Sequence, residues 1–358
     1  MLPRIFLSKR AISFFLSLVL IVPVNGQLNT GSPVDQKIYQ DNILALLKEN
    51  NVPAVGIGII RNGKLRQVSV YGELTKNVAA PYNTIFNVAS LTKPVVTMLT
   101  LKLVSMGKWN LDEPLSNYWV DPEIANDPRH KKITTRIVLS HQTGFVNWRW
   151  LHATKKLAID FEPGTKFQYS GEGFEYLRKA LENRFNKTLD QLTDSLIFSP
   201  LGMKDTRQYW DKNMDESRFA LWHDKEGNNT YTDHKKTPVS AADDLLTTIE
   251  DYGKFGVSVM YKTGLTDIVF NDMIKPQSTM KEGHHMGLGW ELIENLSNNE
   301  YALIHSGADR GVKTLVLLLP KSGQGLVIMT NGDNGVKLYE KIITNSLDLG
   351  KEIMKHAN

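Results

Sequence analysis

With 358 residues, 41% hydrophobic and 22% charged, the chain can bury a large core, which excludes an intrinsically disordered protein. The formal charge of +4 falls to +1 without the basic start Arg4, Lys9 and Arg10, which removes the case for a polyanion partner. The absence of cysteine excludes disulfides, a thiol nucleophile, a thiolate metal site and lipid attachment through sulfur.

Residues 1–26 read as a cleavable export signal: a basic start, an apolar run over 11–24 and a small-residue exit at Val24-Asn25-Gly26. The run is short for a span of about 20 residues and is broken by Pro23, so no stable membrane anchor is expected after processing. The expected location is secreted or periplasmic.

A helix is predicted through 43–47, followed by strands over 54–60 and 67–71 around the turn Arg61-Asn62-Gly63-Lys64, a pattern that gives an antiparallel hairpin. From 92 to 106, Val95, Val96, Leu99, Leu103 and Met106 recur at helical spacing, and Gly107 stands at the stop. This predicts a buried helix with Ser90 at its start. Helix signals dominate 110–240 and are clearest over 177–185 and 189–196. Strands are predicted over 287–292, 301–305, 313–319 and 325–330, and one amphipathic helix over 336–354. The order of sheet, helices and sheet predicts an α/β fold. Residues 27–100 and 240–358 would build one discontinuous α/β lobe, residues 101–239 an inserted helical lobe, and the active site would lie between them.

Three Ser-x-x-Lys pairs occur: Ser90/Lys93, Ser105/Lys108 and Ser278/Lys281. On a helix this spacing puts an amine one turn from a hydroxyl, where a neutral lysine can take the serine proton during attack on a carbonyl. Ser105/Lys108 straddles the Gly107 stop, and Ser278/Lys281 lies in the polar stretch 275–283. Ser90 alone joins an apolar approach, 85–89, to a long apolar helix with Pro94 in its first turn. A helix start supplies free N–H groups and a positive field beside a developing oxyanion. Burial disfavours an ammonium, which suits a base at Lys93.

Further along, 161–170 is a turn running into an extended piece that presents Tyr169 at a loop end. Ile304-His305-Ser306-Gly307-Ala308 is a strand end whose small residues allow a substrate backbone to approach, with the Ala308 N–H available to an oxyanion.

In order, Ser90-Leu91-Thr92-Lys93, Tyr169-Ser170-Gly171 and His305-Ser306-Gly307 resemble the three motifs of the serine β-lactamase and penicillin-binding-protein family. The likeness is greatest to its class C β-lactamase, DD-peptidase and esterase-like branch. It extends to 139–144, to the Glu162-Pro163-Gly164 turn, to Gly287-Leu288-Gly289-Trp290 and to 327–331, and so covers nearly the whole chain after residue 26. It implies a β-lactamase-like fold, an antiparallel sheet flanked by helices with an inserted helical lobe. It also implies an acyl-enzyme cycle in which Ser90 attacks and Lys93 and Tyr169 shuttle its proton. The N–H groups of Ser90 and Ala308 would stabilise the oxyanion, and His305, Ser306 and Gly307 would line the substrate. The implied reaction is hydrolysis of an ester, amide or D-amino-acid-type peptide bond, with β-lactam turnover secondary. The rival is a non-catalytic penicillin-recognising protein on the same fold.

Two positions depart from the family pattern. Gly171 stands where the second motif ordinarily carries an asparagine whose amide meets substrate and lysine; Asn147, Arg149 and Glu172 are candidates to replace it. His305 stands where many penicillin binders carry lysine, so a charge there is reduced or pH-dependent, and Arg310 or Lys313 could restore it.

No metal and no organic cofactor are expected. There is no His-Glu-x-x-His, His284-His285 would point to opposite faces of a strand, and no phosphate- or dinucleotide-binding loop is visible. Asp243-Asp244 reads as a helix-start charge pair. The expected partner is a small-molecule or peptide substrate, not nucleic acid, and oligomeric state is not legible.

Overall fold

A computed structural model describes residues 33–357. The expected export signal at 1–26 lies outside them. A first helix, α1 (Pro33–Glu49), leads into the hairpin of β1 (Ala54–Arg61) and β2 (Lys64–Thr75). Its two-residue turn has Asn62 and Gly63 at φ 51° and 66°, the left-handed pair that Asn-Gly adopts at least cost. The strands that follow are β3 (Val78–Ala79), β4 (Phe86–Asn87), β5 (Leu246–Thr247), β6 (Ser278–Lys281), β7 (His284–Met286), β8 (Glu291–Leu296), β9 (Glu300–Asp309), β10 (Val312–Leu319) and β11 (Gln324–Thr330).

Nine of them form one antiparallel sheet in the order β3-β2-β1-β11-β10-β9-β8-β7-β6, and β4 pairs with β5 separately. β1 meets β11 with Ile57 opposite Ile328, so the first hairpin and the last strands share one sheet although some 270 residues separate them. Successive side chains of β10 alternate between two cores. Leu315 and Leu317 pack with Ile43 and Leu47 of α1 and with Ile343 and Ile353 near the C-terminus. Val316 and Leu318 pack with Val95 and Leu99 of α2 (Thr92–Ser105) and with Phe255 of the helix Ile249–Met260. That second core continues through Leu139, Phe145, Leu177 and Leu181 of the middle third. The sheet and helices are those of a β-lactamase-like α/β fold, as the resemblance implies.

Three local expectations are corrected, and a pair set aside in the sequence is placed. The helix predicted over 336–354 is two helices, Tyr339–Ser346 and Gly350–Ala357, because Leu347 turns extended to bury its side chain. The strand predicted from 287 begins at Glu291, since Gly289 bends the chain at φ 73° against Thr97, where any Cβ would collide. Asp243-Asp244 starts no helix; the next one begins at Ile249 and is capped by Thr248, whose hydroxyl accepts the Asp251 N–H at 3.2 Å. Ser278 and Lys281 lie on strand β6, where residues three apart face opposite sides.

One feature of the sheet places the site. β8 pairs with β9 no further than Ile304, while β10 pairs with β9 through Asp309. His305 to Ala308 therefore have a strand neighbour on one side and an open edge on the other. Among the described residues no helix is long and apolar enough to cross a membrane.

Candidate active site

Ser90 sits in a tight turn, Ala89–Leu91, that runs directly into α2. The turn requires Ala89 at φ 47°, a left-handed conformation that alanine rarely adopts and that surrounding bonds must enforce. Asn87 Oδ1 accepts the Ala89 N–H at 2.7 Å. Thr92 Oγ donates to the Ala89 carbonyl at 2.7 Å, the Tyr252 hydroxyl to the Leu91 carbonyl at 2.8 Å, and Thr314 Oγ to the Val88 carbonyl at 2.8 Å. The last bond brings β10 to the Ser90 turn, and Gly307 on β9 permits it. A Cβ at Gly307 would collide with the Val88 carbonyl and lie 3.1 Å from the Ser90 nitrogen.

Lys93, in the first turn of α2, is fully buried. Its Nζ lies 3.0 Å from Ser90 Oγ and donates to the Ala242 carbonyl at 2.8 Å. The rings of Tyr169 and Phe174 flank it, with centroids 4.8 and 5.7 Å away. Tyr169 is held between two bonds to His141, whose carbonyl accepts from the Gln168 N–H at 2.7 Å and whose Nδ1 accepts from the Ser170 N–H at 3.1 Å. The His141 ring also lies under that of Tyr169, centroids 4.3 Å apart. Among the described residues the Tyr169 hydroxyl makes no hydrogen bond. It lines, with Ser90, Asn147, His305, Ser306, Ala308 and Glu291, a cavity of about 340 Å3 at the open edge of β9.

A sequence model of the family described as Beta-lactamase matches residues 40–351. The chain belongs to the Beta-lactamase family. Over 309 residues it is 23% identical to Protein flp of Staphylococcus aureus (strain MW2), an alignment covering 80% of this chain and 61% of that protein. Over 226 residues it is 27% identical to D-alanyl-D-alanine-carboxypeptidase/endopeptidase AmpH of Escherichia coli (strain K12), covering 55% and 57% of the two chains. The chain thus spans about six-tenths of the length of these curated relatives. The octameric penicillin-binding protein homologue from Pyrococcus abyssi superposes with a TM-score of 0.74 at 18% identity, covering 87% of this chain and 78% of that one.

At the second motif the chain carries Gly171 where the resemblance implies an asparagine. The asparagine that Gly171 replaces has no room here, because a Cβ at Gly171 would lie 2.8 Å from the indole of Trp148. Of the three candidates to stand in for it, Asn147 alone lines the cavity, and its Oδ1 accepts the Gly171 N–H at 2.8 Å. Arg149 and Glu172 turn away and pair with each other at 2.8 Å, and Arg149 also reaches Asp121 at 3.0 Å and Glu123 at 2.9 Å.

The third motif carries no charge. His305 Nδ1 must donate to the Ser306 carbonyl at 2.9 Å, which leaves Nε2 as an acceptor. Burial, and secondarily Lys93, pushes its pKa down to about 3, so of the two expectations for this position the reduced charge is the one that fits. Arg310 and Lys313 do not restore it: Arg310 pairs with Asp233 at 2.9 Å, and Lys313 donates to the Asp309 and Val312 carbonyls. Burial and the neighbouring Asp244, opposed by Lys93, raise Asp243 to about 7.

Sequence reasoning left His141 inside a stretch noted only for its resemblance. Burial, then Lys93 and His305, hold it far below the ordinary imidazole range, so it is a neutral support for Tyr169. A histidine next to a glycine-containing turn in 139–144 was the signal available.

Proposed function

We propose that this protein is a serine hydrolase that cleaves ester, amide or D-amino-acid-type peptide bonds through an acyl-enzyme on Ser90. The observation that carries the reading is the buried Lys93 amine, 3.0 Å from Ser90 Oγ. As Oγ attacks the carbonyl carbon, its proton passes to the Lys93–Tyr169 pair, and the carbonyl π electrons move onto oxygen. The N–H groups of Ser90 and Ala308 stabilise that oxyanion. Its collapse expels the leaving group, which takes the proton from the pair; water then repeats the sequence in reverse roles and frees the acid and Ser90.

Among the described residues the Tyr169 hydroxyl has no competing hydrogen bond, so it is free to meet the Ser90 oxygen or the leaving group as substrate fills the cavity. The open edge of β9 suits an extended substrate backbone, whose amide can pair as an added strand. The neutral His305 supplies no grip for a substrate carboxylate. That favours esters, amides and internal peptide bonds over a free C-terminal carboxylate, and it makes β-lactam turnover secondary. The composition of residues 1–26 supports export, tested by N-terminal sequencing of protein recovered outside the cytoplasm.

Intact mass after incubation with a fluorophosphonate and, separately, a labelled penicillin tests the chemistry. A covalent adduct that is absent from Ser90→Ala is expected, and for the acylating probe it is released with time. A persistent acyl adduct would favour a binder on the same fold, and no adduct with either probe would sink the assignment of Ser90.

A further inference from the structure

The loop that displaces the second-motif asparagine also builds a surface. Trp148 covers Gly171, two residues from Tyr169, and Trp150 stacks on it with ring centroids 4.9 Å apart and planes within 7°. Trp150 is 56% exposed, so the parallel indole pair presents surface to solvent, and Trp148 directly follows Asn147, which lines the cavity that holds Ser90. Isolated exposed apolar residues are ordinary, but a stacked pair this close to a site presents a broad flat apolar surface.

The pair is held from within. Between the two indoles, Arg149 turns into the protein and binds Glu172 through Nε at 3.1 Å and Nη2 at 2.8 Å, with Asp121 and Glu123 completing its shell. Glu172 and Asp121 are buried. The preceding Asn147 carbonyl accepts the N–H groups of both Gly171 and Glu172 at 3.0 Å, and its side chain lines the cavity. One short run thus reaches the reacting pocket with residue 147, anchors itself with 149 and displays 148 and 150. A rigid platform loses little conformational freedom when a ring settles on it, and offset stacking of aromatic rings adds to the area buried.

We propose that the Trp148–Trp150 stack is a subsite for an aromatic ring carried by the substrate, adjoining the Ser90 cavity. It rests on the reading of Ser90 as the nucleophile. Two matched substrate pairs test it, one differing only in the acyl group (p-nitrophenyl phenylacetate against acetate) and one only in the leaving group (benzyl against methyl amide of D-alanine). The ratio of kcat/KM, aromatic over plain, is expected to fall about tenfold for Trp150→Ala in at least one pair. Trp150→Phe should keep most of the preference, and the exposed neighbour control Leu151→Ala should leave the ratio unchanged.

A second readout does not depend on turnover. In Ser90→Ala protein, phenylacetamide should change indole emission saturably, and adding Trp150→Ala should abolish that change. Unaltered ratios in both pairs, or an emission change indifferent to Trp150, would overturn the subsite. If instead Ser90→Ala hydrolyses p-nitrophenyl acetate as fast as the unmodified protein, the nucleophile assignment fails, while the emission titration still decides the platform.

Discussion

Residues 87–93 are fastened by neutral groups: the amide of Asn87 and the hydroxyls of Thr92, Tyr252 and Thr314, each bonded to the backbone of the Ser90 turn. The indole-bearing run 148–150 is fastened by charge, with Arg149 set among Glu172, Asp121 and Glu123. Neutral bonds hold their geometry across pH and salt, whereas a partly buried ionic cluster depends on every partner staying ionised. The Ser90 turn and the Trp148–Trp150 stack therefore stand on supports that fail under different conditions, and each can be broken separately.

The largest effect should follow from changing the reacting groups themselves. Lys93→Met should lower kcat/KM on the order of 10²-fold or more on any ester that is turned over, and Tyr169→Phe should fall in the same range if the two share the proton. Near-normal rates in either variant would remove that residue from the reaction. In the second region, Arg149→Met leaves the buried carboxylates of Glu172 and Asp121 unpaired, a loss of about 2–4 kcal/mol in unfolding free energy by denaturant titration. Ser90 labelling by a fluorophosphonate at low temperature should survive that change, and losing it would show that the two supports are not independent.

Smaller effects sharpen the contrast. Gly171→Asn drives a side chain into Trp148 and should cost about 1–3 kcal/mol, much of it recovered in the double variant with Trp148→Ala. Additive losses would argue against direct contact. Asp243 titrates near 7 in the folded protein but in the ordinary carboxylate range when unfolded, so unfolding releases a proton between about pH 4 and 7. Its contribution is present below that window and lost as pH rises through it. Asp243→Asn should flatten the decline in Tm from pH 5 to 8, and an unchanged slope would assign the decline elsewhere. Finally, His305→Lys should raise kcat/KM for substrates ending in a carboxylate about tenfold relative to their amides, because it supplies a charge that the neutral imidazole lacks.

Much of the fold was legible because periodicity is local. The Asn62-Gly63 turn, the buried helix after Ser90 and the β10 and β11 strands follow from patterns a few residues long. The helix over 336–354 misled because its apolar spacing continues across Leu347, where burial against the sheet outweighs helical continuity. Among site residues, Ser90 and Lys93 meet because four consecutive residues set their spacing, whatever the rest of the chain does. The inward turn of Arg149 and Glu172 was not legible. Arg149 lies 28 residues after Asp121 and 23 before Glu172, and salt bridges across such separations leave no local trace. The neutrality of His305 likewise comes from its burial and from Lys93, more than 200 residues away in sequence.

The seam between β1 and β11 bears on how the molecule is made. Neither strand has its full set of neighbours until the chain is synthesised to Thr330, since β11 fills the gap between β1 and β10. A polypeptide halted on the ribosome before that point would carry two unpaired strand edges lined by apolar side chains, ready to pair with another nascent copy. Insertion of β11 is thus also the step that closes both of these edges at once.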